Sequence, residues 1–259
     1  MKKFIALLLA LTMLLALTAC TGKKPRTDSE YISEKGTFVV GITDFAPMDY
    51  QENGKWIGFD ADMAAKFAES LGVAVEFVAI DWDSKVDELN DKKIDCVWNG
   101  MTLTEGVKAA MSTSNPYCNN AQVVVVPAEV SADYATQDAV AELTFAVEAG
   151  SAGEELAIEL GYDYVRVADQ LTALSKVSSG DCAAAIIDLL MAESMIGEGK
   201  DYAKLAYPLA LNSEECGVGF RKDSDMADKL NEFFSASYAD GSMMEIAEIY
   251  GVQDSVIAQ

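Results

Sequence analysis

The sequence predicts an α/β protein built as two doubly wound lobes that share a cleft. Three observations carry this reading. Short apolar runs of strand length alternate with helix-length stretches and show no consecutive hairpins, which implies a parallel-type sheet covered on both faces. The alternation begins again at about Gln122, after a first round is complete. The two rounds also echo each other, since Leu89…Lys93-Ile-Asp-Cys96-Val matches Leu174…Gly180-Asp-Cys182-Ala in order and, to within one residue, in spacing.

The chain opens as an exported protein does. Met1-Lys2-Lys3 supplies a positive start, and Phe4 to Leu17 is an apolar run too short for a comfortable membrane span. Leu17-Thr18-Ala19-Cys20 then reads as a lipobox, so residues 1–19 are expected to be removed as a lipoprotein signal. Cys20 becomes a lipidated N-terminus that holds the protein outside the cytoplasmic membrane, the alternative being an uncleaved anchor helix. Thr21 to Ser29 has no hydrophobic residue, and residues 20–30 are expected to be a flexible tether.

The elements follow in order. Phe38 to Ile42 reads as a buried strand, and Asp60 as the N-cap of a helix over Ala61 to Leu71, with Asp62 in its positive first turn and Gly72 beyond its end. A strand over Val73 to Ile80, a short helix over Ser84 to Asn90 and a strand over Ile94 to Trp98 complete the first round. The second comprises strands at Gln122 to Pro127 and Leu143 to Val147, a helix at Glu154 to Leu160, a strand at Tyr164 to Val167, a helix at Asp169 to Ser179 and a strand at Cys182 to Ile187. The tail returns to a strand at Gly217 to Phe220 and closes with helices at Asp225 to Tyr238 and Ser242 to Tyr250. Doubly wound lobes turn strand C-termini and helix N-termini toward a crevice, where small polar ligands bind.

Composition narrows the function. The formal charge is −23, and removing Lys2 and Lys3 with the signal leaves 17 basic residues against 42 acidic ones, a net −25. Nucleic acid is excluded as a partner, because phosphate binding needs a basic face. The chain has no histidine, which removes Ser-His-Asp and Cys-His catalysis and most zinc sites. Cys96, Cys118, Cys182 and Cys216 form no C-x-x-C pair, so no metal is expected. Cys96 and Cys182 read as small buried thiols, while Cys118 and Cys216 could form a disulfide that sequence alone cannot pair.

Several motifs resemble one family. Trp56-Ile-Gly-Phe-Asp-Ala-Asp62, Lys93-Ile-Asp-Cys-Val97, Gly100-Met-Thr-Leu-Thr104, Ser114-Asn-Pro-Tyr117, Gly217-Val-Gly-Phe-Arg-Lys222 and Ala239-Asp-Gly-Ser-Met243…Ile249-Tyr250-Gly251 resemble, in order along nearly the whole mature chain, the extracellular solute-binding proteins of polar amino-acid ABC transporters. The resemblance implies a type II periplasmic-binding-protein fold, with lobe one over residues 31–120 and 212–259, lobe two over 121–211, and a hinge of two crossing strands. A monomer that closes on an amino acid or related amine, without a cofactor, and docks on a membrane permease is the implied behaviour.

Family positions carry over residue by residue. Phe45 matches an aromatic that packs on the ligand side chain, and Trp82 a second aromatic facing it across the cleft; each could instead be a core aromatic. Asn99, Gly100 and Thr102 match the loop that meets the ligand's α-carboxylate and α-amino group. Gly150, Ser151 and Ala152 would offer N–H groups and a hydroxyl where a helix begins. Asp188 matches the carboxylate that pairs with the α-ammonium group, the alternative being a helix N-cap.

One position departs from the pattern. The family places an arginine three residues after the second threonine of T-x-T, where it clamps the ligand carboxylate, and this chain has Val107 there. Lys108 is rotated by about 100° on any helix that starts there, and Arg166 reads as a surface residue of the other lobe. Either N–H groups and hydroxyls alone hold the carboxylate, or the ligand lacks a conventional one. Two further functions fit the scaffold: a dehydratase of the cyclohexadienyl type, for which Glu148 is the candidate acid or base, and a ligand sensor that signals without transport.

Overall fold

The structure, a computed structural model, describes residues 26–259. The expected signal over 1–19, the lipidation position Cys20 and most of the expected tether lie outside the described residues. The end of that tether is already helix. α1 (Asp28–Lys35) starts at a capping box in which Thr27 and Glu30 satisfy each other's backbone N–H groups. Arg221 pins it, reaching Asp28 at 3.0 Å and the fully buried Asp95 at 3.3 Å. Thr27-x-x-Glu30 was the signal for this start, hidden in a stretch whose polarity resembles coil.

The first region runs through β1 (Thr37–Ile42), β2 (Tyr50–Glu52), β3 (Lys55–Ile57), α2 (Phe59–Ser70), β4 (Ala74–Ala79), α3 (Lys85–Asn90), β5 (Cys96–Val97), α4 (Glu105–Ala110) and β6 (Ser112–Thr113). β7 (Cys118–Asn120) and β8 (Gln122–Pro127) lead into the second, which holds α5 (Gln137–Val140), β9 (Thr144–Glu148), α6 (Ala152–Leu160), β10 (Asp163–Val167), α7 (Gln170–Ser179), β11 (Ala184–Asp188), α8 (Leu189–Met195) and β12 (Leu205–Ala210). β13 (Glu214–Cys216) returns the chain to the first region, followed by β14 (Gly219–Phe220), α9 (Met226–Ala239) and α10 (Ser242–Tyr250).

Two five-stranded sheets result, ordered β4-β1-β5-β14-β6 and β10-β9-β11-β8-β12. β1 is parallel to β4 and β5, and β9 to β10 and β11. β14 is antiparallel to both its neighbours, and so is β8. The sheets are therefore mixed rather than parallel throughout. A strand that enters a sheet from the other lobe arrives from the opposite end, and β8 and β14 lie next to the crossings. The crossings are β7 and β13, which pair antiparallel with Cys118 directly opposite Cys216. Both thiols are free and buried.

The sequence reading also passed over a hairpin. β2 and β3 are joined at Asn53-Gly54, both with positive φ (51° and 75°), the conformation that an Asn-Gly hairpin turn uses. Packing follows the apolar periodicity elsewhere. α2 buries Phe59, Met63, Ala64, Phe67 and Ala68 along one face, and Phe67 meets Phe38 of β1 edge-on at 5.5 Å. Asp60 is not the cap of this helix, which has Gly58 in that place. It is fully buried, where the Gly100 N–H (2.6 Å) and the Tyr117 hydroxyl (2.7 Å) donate to its Oδ2.

Candidate functional site

The two sheets turn their strand C-termini toward each other, and a cavity lies between them. The ligand-contact positions expected from the sequence, Gly150 included, all line it. From the first region come Phe45 after β1, Trp82 before α3, and Asn99, Gly100 and Thr102 after β5. From the second come Ser151 and Ala152 at the start of α6, and Asp188 at the end of β11. Val107 also lines the cavity and is buried. Among the described residues, Lys85 is the cation in the lining.

Local geometry sets each wall. Gly100 has φ +56°, and a Cβ there would meet Phe45 Cε1 at 2.4 Å, so the ring lies directly on the glycine backbone. Ser151 caps α6 by accepting from the Glu154 N–H at 3.1 Å. Lys85 stands 4.9 Å from the Trp82 ring centroid and donates from Nζ to the Trp82 carbonyl (3.2 Å) and to the Gly150 carbonyl across the cleft (2.7 Å). Burial lowers its pKa, and the nearby Glu148, Glu155, Asp83 and Glu154 oppose that shift. Arg166 is half-exposed, but it is more than surface decoration. It joins Asp83 (2.9 Å) to Glu154 (2.8 Å) and so ties the two regions at the rim.

Asp188 occupies the position before α8 without capping it. Its Oδ1 accepts from the Asn120 and Gln122 side-chain amides, the latter at 2.9 Å, and its Oδ2 accepts from Gln170 Nε2. Asn120 and Gln122 also donate to Glu214 Oε1, at 2.9 and 2.8 Å. Thr102 donates its hydroxyl to the same oxygen at 2.7 Å. Burial pushes the Asp188 carboxyl up to about 7, the Glu214 charge adds to the shift, and the three amides oppose it. Glu148, at the end of β9, is raised to about 8 by burial and by Asp188 and Asp169, against the Gln170 amide and Lys85. Its Oε1 is buried without a hydrogen-bond partner.

The sequence reading missed Lys85 and Gln170 as lining residues. Lys85 follows Trp82 by three positions, a helical spacing that places both on one face. Gln170 had no signal, since a polar residue in a first helical turn reads as solvated.

Comparison with known proteins places this geometry. The family described as bacterial extracellular solute-binding proteins, family 3, matches residues 38–253. The chain is similar to the arginine-binding extracellular protein ArtP of Bacillus subtilis, 29% identical over 253 residues and covering 95% of this chain and 96% of that one. A solved ABC uptake transporter substrate-binding protein from Streptococcus pneumoniae with bound histidine superposes with a TM-score of 0.80 at 26% identity, over 89% of this chain and 98% of that one. Cyclohexadienyl dehydratase of Pseudomonas aeruginosa is also similar, 25% identical over 235 residues and covering 88% of this chain and 82% of that one.

Proposed function

We propose that this chain, which belongs to the bacterial extracellular solute-binding proteins of family 3, captures an amino acid or related small amine between its lobes and hands it to an ABC permease. We take residues 31–120 with 212–259 as lobe one and 121–211 as lobe two, hinged at β7 and β13. Lipidation at Cys20 would keep the loaded protein close to the permease.

The observation that carries this reading is the cavity itself. It gathers Phe45, Trp82, Asn99, Gly100 and Thr102 from one lobe against Ser151, Ala152 and Asp188 from the other. Aromatic faces suit an aliphatic or guanidinium group, and Asp188 suits an ammonium. Lys85 and Arg166 bond across the cleft, contacts that opening would break and a ligand would stabilise. Thermal-shift screening of the purified protein against amino acids and amines should give stabilisation by a narrow chemical group. No stabilisation by any of them would sink the reading.

One observation favours a second function. The Glu148 carboxyl, raised to about 8, carries a proton at neutral pH, as a general acid must. Turnover of prephenate or arogenate by the purified protein, abolished in Glu148→Gln, would establish a dehydratase.

A further inference from the structure

A cleft for an amino acid needs donors for a carboxylate, and here most of the side-chain donors are engaged within the protein, the Ser151 hydroxyl remaining free to donate. Asn99 Nδ2 donates to Asp49 Oδ2 (2.8 Å) and the Thr43 carbonyl (3.1 Å). The Gly100 N–H is spent on Asp60, and the Thr102 hydroxyl on Glu214. On the facing lobe the Gly150 N–H donates to Glu154 Oε2 at 2.7 Å. Glu154 and Glu155 both lie in the first turn of α6, so the positive end of that helix already meets its own carboxylates. Lys85 Nζ is fixed on two carbonyls, and Val107 stands where the family pattern puts an arginine.

The acceptors are in the opposite condition. Glu148 is 3% exposed, lines the cavity, and leaves Oε1 without a partner, a costly arrangement for a buried polar atom. Asp188 Oδ1 accepts two bonds and Oδ2 one, so Oδ2 keeps room for another donor. Three carboxylates, Glu148, Glu155 and Asp188, line the cavity against the single ammonium of Lys85. Phe45, Trp82 and Met101 add apolar surface suited to a methylene chain.

We propose that the occupant of this cleft is a small organic dication without a carboxylate, a diamine or guanidino-amine, with one cationic end on Glu148 and the other on Asp188. The proposal rests on the cleft-binding reading above and settles which of its two ligand classes is taken. Binding releases the protons that Glu148 and Asp188 hold in the empty cleft, the two ligand charges then pair with the ionised carboxylates, and the orphaned Glu148 oxygen gains a donor. A free amino acid would instead bring its carboxylate among acceptors, where like charge repels it.

Calorimetric titration of the purified protein with matched pairs that differ by one carboxylate tests this: agmatine against arginine, and cadaverine against lysine. The decarboxylated member of at least one pair should bind about ten-fold tighter or more. Glu148→Gln and Asp188→Asn should each weaken that amine by a similar factor, and Val107→Arg should shift the preference back toward the amino acid. The pairwise comparison uses the unaltered protein, so it stands even where a variant fails to fold. Arginine and lysine binding as tightly as their partners, or tighter, would overturn the dication while leaving the cleft reading intact. No binding by amines or amino acids alike would overturn both.

Discussion

Gly100 holds φ at +56°, and its missing side chain is what lets the Phe45 ring lie against the loop that follows β5. A Cβ at 2.4 Å from Phe45 Cε1 cannot be accommodated without moving the ring. Left-handed backbone alone costs an L-residue roughly 1–2 kcal/mol. Gly100→Ala should therefore lower unfolding stability by about that amount or more, and displace Phe45 from the cavity wall. Denaturant midpoints and the affinity of the ligand found by screening would both report it; an unchanged pair of values would refute the contact. The same scale explains which site residues were legible. Phe45, Trp82 and Asp188 lie in or beside motifs that resemble the family's, so their places could be carried over from it. Glu214 could not, because its bonding partner Thr102 lies 112 residues away along the chain and is met only in three dimensions.

At the scale of elements, the start of α6 is a place where the lobes meet. Gly150, with φ +71°, presses its Cα side against Asp83, so that a Cβ would meet Asp83 Cα at 2.8 Å. Lys85 grips its carbonyl and Arg166 bridges to Asp83 beside it. Gly161, at the other end of α6, has a nearly identical φ of +72° with nothing within 4 Å of its would-be Cβ. The two glycines thus separate backbone strain from lobe contact. Gly161→Ala should lower stability with little change in affinity, whereas Gly150→Ala should add a loss of affinity of about ten-fold by obstructing closure. Small-angle scattering with saturating ligand should show Gly150→Ala more open than Gly161→Ala. Equal affinities and equal radii would refute the role of this contact. The hinge elements carry their own constraint, since Asn120 and Gln122 each share one amide between Asp188 and Glu214. Asp188 is thereby bonded to the strands about which the lobes would move.

For the molecule as a whole, pH offers a clean measurement because the chain contains no histidine. Between about pH 6 and pH 8 ordinary carboxylates are ionised and lysines protonated. The carboxyls of Asp60 and Asp188, raised to about 7, and of Glu148, raised to about 8, titrate in that window. Each is raised above its unfolded value, so the folded state binds more protons than the unfolded chain there. Stability of the empty protein is then greatest on the acid side and is lost as pH rises through the folded pKa values. Its Tm should fall between pH 6 and pH 8. A cationic ligand prefers the ionised carboxylates, so its affinity should rise over the same interval and release protons on binding. A flat Tm profile for the empty protein, or an affinity that falls with pH, would contradict this assignment.

What the sequence determined by itself was the order of elements, the two-lobed α/β plan and the positions that meet at the cleft. Alternating apolar periodicity marks where strands end, and in doubly wound lobes those ends converge on a cleft, while the resemblance to a family's motifs is what named residues such as Phe45, Gly100 and Asp188 in it. Tertiary structure decided the mixed direction of both sheets, because crossing strands enter from the far lobe. It also decided the chemistry of the cleft. Whether Asn99, Gly100 and Thr102 offer donors to a ligand depends on Asp49, Asp60 and Glu214, which folding brings beside them from distant parts of the chain. Sequence periodicity reports which side of an element is buried; it holds no record of which polar atoms find partners there.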